Sequence, residues 1–377
     1  MVKQGGLAGI TAGQSGVCTV GIAGIGLHYR GFDIQDLAAH CSFEEVAHLL
    51  INGRLPSEKE LEEYYILLSK SRRLPDNLKL LLEKLPKETH PMDVLRTATS
   101  FLGCAQSTPS SSAEKKQIAN HLIAQFPGIL NYWYHFHQSG IKIDECNSTE
   151  TTIAGYFLEL LHQRKPSDLE RSTINTALIL YAEHEFNAST FAARVTAATL
   201  SDFYSAICSA IGTLRGPLHG GANEEALKLI LEFDSAASAT AGIKKKLTEK
   251  QLIMGFGHRV YTNSDPRSDI IKAQSKQLAQ QTNNTVLFDI SQAIENEMME
   301  QKQLFPNLDF YSASAFHLCN IPMDFFTPIF VIARTTGWAA HIIEQQENNK
   351  LIRPISDYTG PEPQTFIPIA SRKSNHG

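Results

Sequence analysis

Gly216-Pro217-Leu218-His219-Gly220-Gly221-Ala222-Asn223 is the stretch on which the reading of this chain turns. It ends a run of small residues, Thr173 to Thr213, and opens a segment of different composition. Gly216-Pro217 breaks any helix before it. Asn223-Glu224-Glu225 starts another, an amphipathic helix from Glu224 to Glu232. Between break and start stands His219, followed by two glycines that leave room for a ligand to approach the backbone. Unpaired N–H groups at a helix start favour developing negative charge. Taken alone, the same residues describe a buried histidine whose ring bonds a backbone carbonyl.

Upstream, Thr173 to Thr213 is dominated by Ala, Ser, Thr and Ile, with His184, Glu185 and Asn187 near its middle. Small residues let helix backbones approach, so two adjacent deeply buried helices are expected, with a subunit interface as one setting for them. Ser42, Glu45 and Gly53 bracket a capped helix. Asp93 to Cys104 and Thr151 to His162 carry the helical period, separated by a polar turn at Ser107 to Ser112 and a loop at Asp144 to Glu150. Val17 to Val20 and Leu27 to Arg30 flank glycines and read as a β-hairpin. Downstream, Ser268 to Gln281 is a further helix, and Leu318 to Trp338 returns to the buried apolar style. The run Phe325 to Ile343 contains Pro328, Arg334 and His341, too polar for lipid, and reads as a buried helix. Gly24-Ile25-Gly26 lacks the glycine spacing of a dinucleotide site, and no βαβ alternation appears. The fold class is mainly α. The composition shift divides the chain into a large helical domain, residues 1–215 and 319–377, and a smaller helical domain, residues 216–318.

A chain of 377 residues can bury a large core. Its net charge of −5 and the absence of a dense Lys/Arg tract argue against nucleic acid and against capture by a membrane surface. Six scattered cysteines form no CxxC pair, so neither a disulfide framework nor a zinc site is expected. With no N-terminal apolar segment, this points to a reducing cytoplasm.

Downstream segments answer the first motif. Gly255-Phe256-Gly257-His258-Arg259 sets a second histidine in a glycine turn, and Asp265-Pro266-Arg267 follows. Arg267 can bond a carboxylate bidentately while His258 meets a neighbouring carbonyl oxygen. The plainer account has Asp265 as a cap, Pro266 as the first helical residue and Arg267 in solvent. Asp309, in Pro306-Asn307-Leu308-Asp309-Phe310-Tyr311, is an aspartate among aromatics, whose desolvation should raise its pKa and make it a base. Arg334 sits in an apolar run and needs an anionic partner, structural or substrate. Arg353 is the other candidate arginine, and His184 can bond a substrate oxygen. The spacing around His184 is not that of a zinc motif. Three arginines can hold two carboxylates, two histidines can donate to carbonyl oxygens, and one aspartate can take a carbon-bound proton.

From about Val17 to the C-terminus the chain resembles the citrate synthase family. Leu218 to Asn223, Gly255 to Tyr261, Asp265-Pro266-Arg267 and Pro306 to Asp309 match that family's site motifs in order. The wording of Tyr261 to Arg267, Phe325 to His341 and Asn349 to Pro354 is similar to its bacterial 2-methylcitrate synthase branch. Thr262 stands where many members carry lysine. The resemblance implies a two-domain helical fold with a small β-hairpin, closing over its substrates as a homodimer. It implies condensation of propionyl-CoA with oxaloacetate and water to 2-methylcitrate and CoA, with side activity on acetyl-CoA; the alternative is a citrate synthase preferring acetyl-CoA. Asp309 would take the thioester's α-proton, His219 would stabilise the enol, and His258 would polarise the ketone of oxaloacetate. His184, Arg267, Arg334 and Arg353 would hold oxaloacetate, Arg353 from the partner subunit. Gly255, Phe256, Gly257, Arg259, Lys302 and Asn307 would line the coenzyme A site. No metal and no permanently bound cofactor are implied; acyl-CoA is a co-substrate. The chain starts near the hairpin, so regulation by an NADH-sensing N-terminal domain is not expected. A non-catalytic acyl-CoA-binding regulator would be favoured by loss of His219, His258 or Asp309, and all three are present.

Overall fold

A computed structural model describes residues 9–21, 26–105 and 111–372. Three short strands come first, β1 (Cys18–Val20), β2 (Leu27–Tyr29) and β3 (Phe32–Asp33). They pair antiparallel in chain order, with Cys18 opposite Tyr29 and Tyr29 opposite Phe32. The expected hairpin is thus the first two strands of a three-stranded sheet. Gly24 and Ile25 lie outside the described residues.

The remainder is helical. α1 (Ile34–His40), α2 (Phe43–Asn52), α3 (Glu58–Lys70), α4 (Asp76–Lys84), α5 (Pro91–Cys104), α6 (Ser112–Ser139), α7 (Ile153–His162), α8 (Asp168–Tyr181), α9 (Ala188–Ala198) and α10 (Phe203–Leu214) precede the His219 loop. After it come α11 (Ala222–Leu231), α12 (Ala236–Thr248), α13 (Ser268–Gln281), α14 (Val286–Lys302), α15 (Leu308–Leu318) and α16 (Phe326–Glu347), with 3₁₀ turns at Met323–Phe325 and Ile369–Ser371. Local chemistry sets the starts. Ser42 with Glu45, Ser57 with Glu60, Ser111 with Glu114 and Ser167 with Glu170 form capping boxes for α2, α3, α6 and α8. Of the polar turn at Ser107 to Ser112, Ser107 to Ser110 lie outside the described residues; Ser111 caps α6 and Ser112 opens it.

Two expectations need correction. Thr173 to Thr213 spans three helices, not two: the end of α8, then α9 and α10. Glu185 and Leu200, at φ 54° and 61°, turn the chain out of helix, and Asn187 and Asp202 cap the next starts. Pro266 is not the first residue of α13, which begins at Ser268, and Arg267 is buried rather than in solvent.

The core gathers around α16, which packs against α2, α5, α6, α8, α9, α10 and α11. It is apolar on nearly every face, and Trp338, Phe326 and Ile342 are fully enclosed. Burying each such side chain contributes roughly 1.5–3 kcal/mol. Arg334 and His341 interrupt that surface, and no described helix is long and apolar enough to cross a membrane. α11 through α15 pack on one another through α12–α14, α13–α15 and α11–α15 contacts.

Candidate active site

Five segments converge on one cleft of about 1350 Å³. The end of α8 and the corner after it deliver Tyr181 and His184. The loop before α11 delivers His219, the loop before α13 delivers His258 and Arg267, the first turn of α15 delivers Asp309, and the middle of α16 delivers Arg334. The two downstream segments are laced together. Gly257 N–H donates to the Phe305 carbonyl (2.8 Å), Asn307 N–H to the Gly255 carbonyl (2.9 Å) and Asn307 Nδ2 to the Gly257 carbonyl (3.0 Å). Gly255 is needed there: its φ is 88°, and a Cβ would come within 3.0 Å of the Phe310 ring. This lacing carries His258 to Asp309.

Hydrogen bonds assign the tautomers of both cleft imidazoles. His219 Nε2 accepts the N–H of Ser189 in the first turn of α9 (3.2 Å) and lies 2.8 Å from the Ser189 hydroxyl, so Nδ1 carries the proton. His258 Nδ1 accepts from the N–H groups of Val260 (3.1 Å) and Tyr261 (3.2 Å), so Nε2 carries the proton. Burial, aided by the charge of Arg334, lowers His219 to about 4; burial and the charge of Arg267 lower His258 to about 4. Both are neutral N–H donors at neutral pH. His184 is buried, and desolvation with the charges of Arg267, His258 and Arg334 pushes its pKa well below the usual imidazole value. Its Nε2 meets the Tyr261 hydroxyl at 3.2 Å, and its ring lies 5.0 Å from that of His258.

Asp309 is the second residue of α15, whose cap is Asn307. Its Oδ1 accepts from the Tyr181 hydroxyl at 2.6 Å. Desolvation raises its pKa, while the Tyr181 bond and Arg267 draw it down. Arg267 gives its bidentate face to a protein carboxylate, Nε and Nη2 bonding Asp265 at 2.9 and 2.8 Å. Its Nη1 hydrogens and the second Nη2 hydrogen stay free of Asp265, so the end-on edge of the guanidinium can still face a ligand carboxylate. Asp265 also accepts from Leu308 N–H (3.1 Å), tying the start of α15 to the arginine. Arg334 is 1 % exposed. Its Nε donates to the Tyr181 carbonyl (2.7 Å), and its Nη1 has no hydrogen-bond partner among the described residues. An unpaired guanidinium N–H at a buried cleft wall is a site for an anion.

His184, His219, His258, Arg259, Arg267, Asn307, Asp309 and Arg334 therefore line one cleft. Gly255, Phe256 and Gly257 do not line it; they hold the Phe305–Asn307 segment, Phe256 forming an isolated bridge to Pro306. Lys302 is exposed at the end of α14 and away from the cleft wall. Arg353 is exposed and lines a second cavity of about 1290 Å³, which shares Ile10, Gly13, Phe186 and Phe191 with the first. Gly220 has a packing reason rather than a ligand reason: a Cβ there would collide with the Leu214 carbonyl and come within 2.9 Å of Thr327. The roles of Tyr181, Ser189, Tyr261 and Asp265 in the cleft were not readable in the motifs. Only Tyr261 and Asp265, which stand inside the matched segments, left a signal in the sequence. Among the described residues no His, Cys, Asp and Glu group has a metal-holding arrangement.

A family model described as citrate synthase, C-terminal domain, matches residues 6–355. A 2-methylcitrate synthase of Shewanella oneidensis is 50 % identical over 367 residues, covering 97 % of this chain and 97 % of that one. Citrate synthase 2 of Bacillus subtilis is 44 % identical over 376 residues, covering 99 % and 100 %. A citrate synthase from Thermoplasma acidophilum, solved as a ternary complex with carboxymethyl coenzyme A and oxaloacetate, superposes with a TM-score of 0.88 at 31 % identity, covering 97 % and 98 %. Matched along almost its whole length in sequence and in fold, this chain belongs to the citrate synthase family.

Proposed function

We propose that the protein condenses propionyl-CoA with oxaloacetate and water to give 2-methylcitrate and CoA, with side activity on acetyl-CoA. The observation that carries the reaction class is the cleft itself: two neutral imidazole N–H donors, a desolvated carboxylate and a free buried guanidinium N–H around one space. The preference for the propionyl group is supported by the 2-methylcitrate synthase half of whose residues this chain shares. Citrate synthase relatives at 44 % identity support the second reading, a preference for acetyl-CoA. One methylene is worth about 1–3 kcal/mol of discrimination in a pocket, so both substrates should turn over.

In this reading Asp309 takes the α-proton of the thioester. His219, fixed as its Nδ1–H tautomer, donates to the thioester oxygen and stabilises the enol. His258, fixed as Nε2–H, donates to the ketone of oxaloacetate and gives its proton to the new alkoxide. Neutral donors suit this work, since an imidazolium beside Arg267 and Arg334 would be electrostatically costly. Arg334 Nη1, the free hydrogens of Arg267 and His184 bind oxaloacetate, with Arg353 arriving from a second subunit. Water then hydrolyses the citryl-type thioester and releases CoA. Arg259 and Asn307 line the acyl-CoA side of the cleft, the Gly255–Gly257 turn backs them, and Lys302 meets the coenzyme from the exposed end of α14. Residues 216–318 form the smaller domain that closes on residues 1–215 and 319–377.

A homodimer is supported by the C-terminal segment. Residues 351–368 form no helix or strand and are largely exposed, and Leu351, Ile355, Tyr358, Phe366 and Ile369 turn apolar surface to solvent. Six free cysteines fit a reducing cytoplasm. The test is CoA release with oxaloacetate, comparing kcat/KM for the two acyl-CoAs. A propionyl preference is the expected result; an acetyl preference selects the second reading, and no release with either overturns both.

A further inference from the structure

The corner that follows α8 carries Tyr181 and His184 into the cleft, and it is stapled to α16 at three points. Arg334 Nε donates to the Tyr181 carbonyl at 2.7 Å. One turn on, Gly337 brings the helix so close that a Cβ would stand 2.5 Å from the Ala182 carbonyl and collide with the Glu183 carboxylate. A further turn on, His341 Nε2 donates to Glu183 Oε1 at 2.9 Å. Residues 334, 337 and 341 share one face of α16 through the i, i+3, i+7 spacing. On its other side the corner is held by β2: the Tyr29 hydroxyl donates to the Glu183 carbonyl (2.9 Å) and accepts from the Glu183 N–H (3.3 Å).

His341 is fully buried and does not line the cleft. Its orientation is imposed from behind. Arg194 Nη1 donates to its Nδ1 at 2.9 Å, which leaves Nε2–H to face Glu183. Arg194 is itself held by Glu344 at 2.6 Å, and Glu344 accepts the Gly16 N–H at 2.8 Å. A chain of polar contacts thus runs from the segment before β1 through Glu344, Arg194 and His341 to Glu183. Beyond it lie the two orphaned buried atoms of this wall, Glu183 Oε2 and Arg334 Nη1. Glu183 is also the foremost negative charge acting on Arg334. A buried network of this kind places its members accurately only while each member is satisfied.

We propose that His341 is a positioning residue: by gripping Glu183 it sets the 181–184 corner, and so the places of His184 and of the Arg334 guanidinium that receive the oxaloacetate carboxylates. The proposal rests on the oxaloacetate reading given above. Displacement of a binding group by about 1 Å can cost up to about a hundredfold in function.

The test compares His341→Gln, His341→Asn and His341→Leu in the full-length protein. Glutamine can present an N–H near the place of Nε2, whereas asparagine is too short and leucine has none. Calorimetric titration with oxaloacetate alone should show dissociation constants raised roughly tenfold or more for the asparagine and leucine variants, and within about threefold of the original for glutamine. At saturating oxaloacetate, kcat should fall less than affinity does. Oxaloacetate binding by the leucine variant equal to that of the original protein, or equal impairment in the glutamine and asparagine variants, would overturn the proposal. If the leucine variant does not fold, the glutamine–asparagine comparison decides. If the unsubstituted protein does not bind oxaloacetate, the functional reading fails, and hydrogen exchange still tests the positioning role. Amides of residues 181–187 should exchange faster in the asparagine variant than in the glutamine variant, and equal exchange would overturn it.

Discussion

At the scale of single residues, chemistry here is set by what each side chain is bonded to. Asp309 alone is an ordinary carboxylate; half-buried in the cleft wall and bonded to Tyr181 it becomes a tuned base. Desolvation raises its pKa and the tyrosine hydroxyl opposes that rise. Tyr181→Phe removes the opposing bond, so the pKa of Asp309 should climb further. The acid limb of the kcat–pH profile should then move to higher pH, by up to about one pH unit for a hydrogen bond worth about 1 kcal/mol. A limb that stays in place would separate Tyr181 from the base. The motif around Asp309 made it a candidate in the sequence, but Tyr181 lies 128 residues away and carried no local mark.

Elements decide which of these residues meet. Helix starts were legible because capping boxes are local, and Ser42 and Glu45 cap α2 as the sequence predicts. The breaks inside Thr173 to Thr213 were not, since Glu185 and Leu200 adopt left-handed backbone without being glycine. The loop between α10 and α11 is a packed element in its own right, with Gly220 pressed against the Leu214 carbonyl and Thr327. Gly220→Ala should therefore cost about 1–3 kcal/mol through overpacking and lower turnover by moving His219. Thermal melting beside steady-state rates checks this, and a variant with unchanged Tm would refute the packing account.

For the whole molecule, the cleft histidines couple folding to pH. Unfolded imidazoles titrate near 6.5, whereas His219 and His258 hold at about 4 in the fold. Their folded pKa is the lower one, so the unfolded chain takes up protons first as pH falls. Their contribution to stability is complete above about 6.5 and is lost progressively down to about 4. Melting temperature should decline across that window, and less steeply in a His219→Asn, His258→Asn double variant. The raised pKa of Asp309 acts with the opposite sign and blunts the fall. Assembly offers a second prediction. If Arg353 serves the neighbouring subunit, Arg353→Ala and Asp309→Asn proteins should each be inactive or nearly so. Co-refolded, they should regain activity, because a mixed dimer holds one complete site. No recovery on mixing would return Arg353 to its own subunit's account.

Sequence alone determined the mainly helical class, the β-hairpin, the family resemblance and the three residues proposed for catalysis. Each of these is written in contiguous residues: capping boxes, helical periods, and glycine turns around a histidine. Tertiary structure decided the tautomers of His219 and His258, the capture of Arg267's bidentate face by Asp265, the bond from Tyr181 to Asp309, and the grip of His341 on Glu183. These depend on atoms brought within about 3 Å by chain folding, and hydrogen bonds of that length report distance in space rather than spacing along the chain.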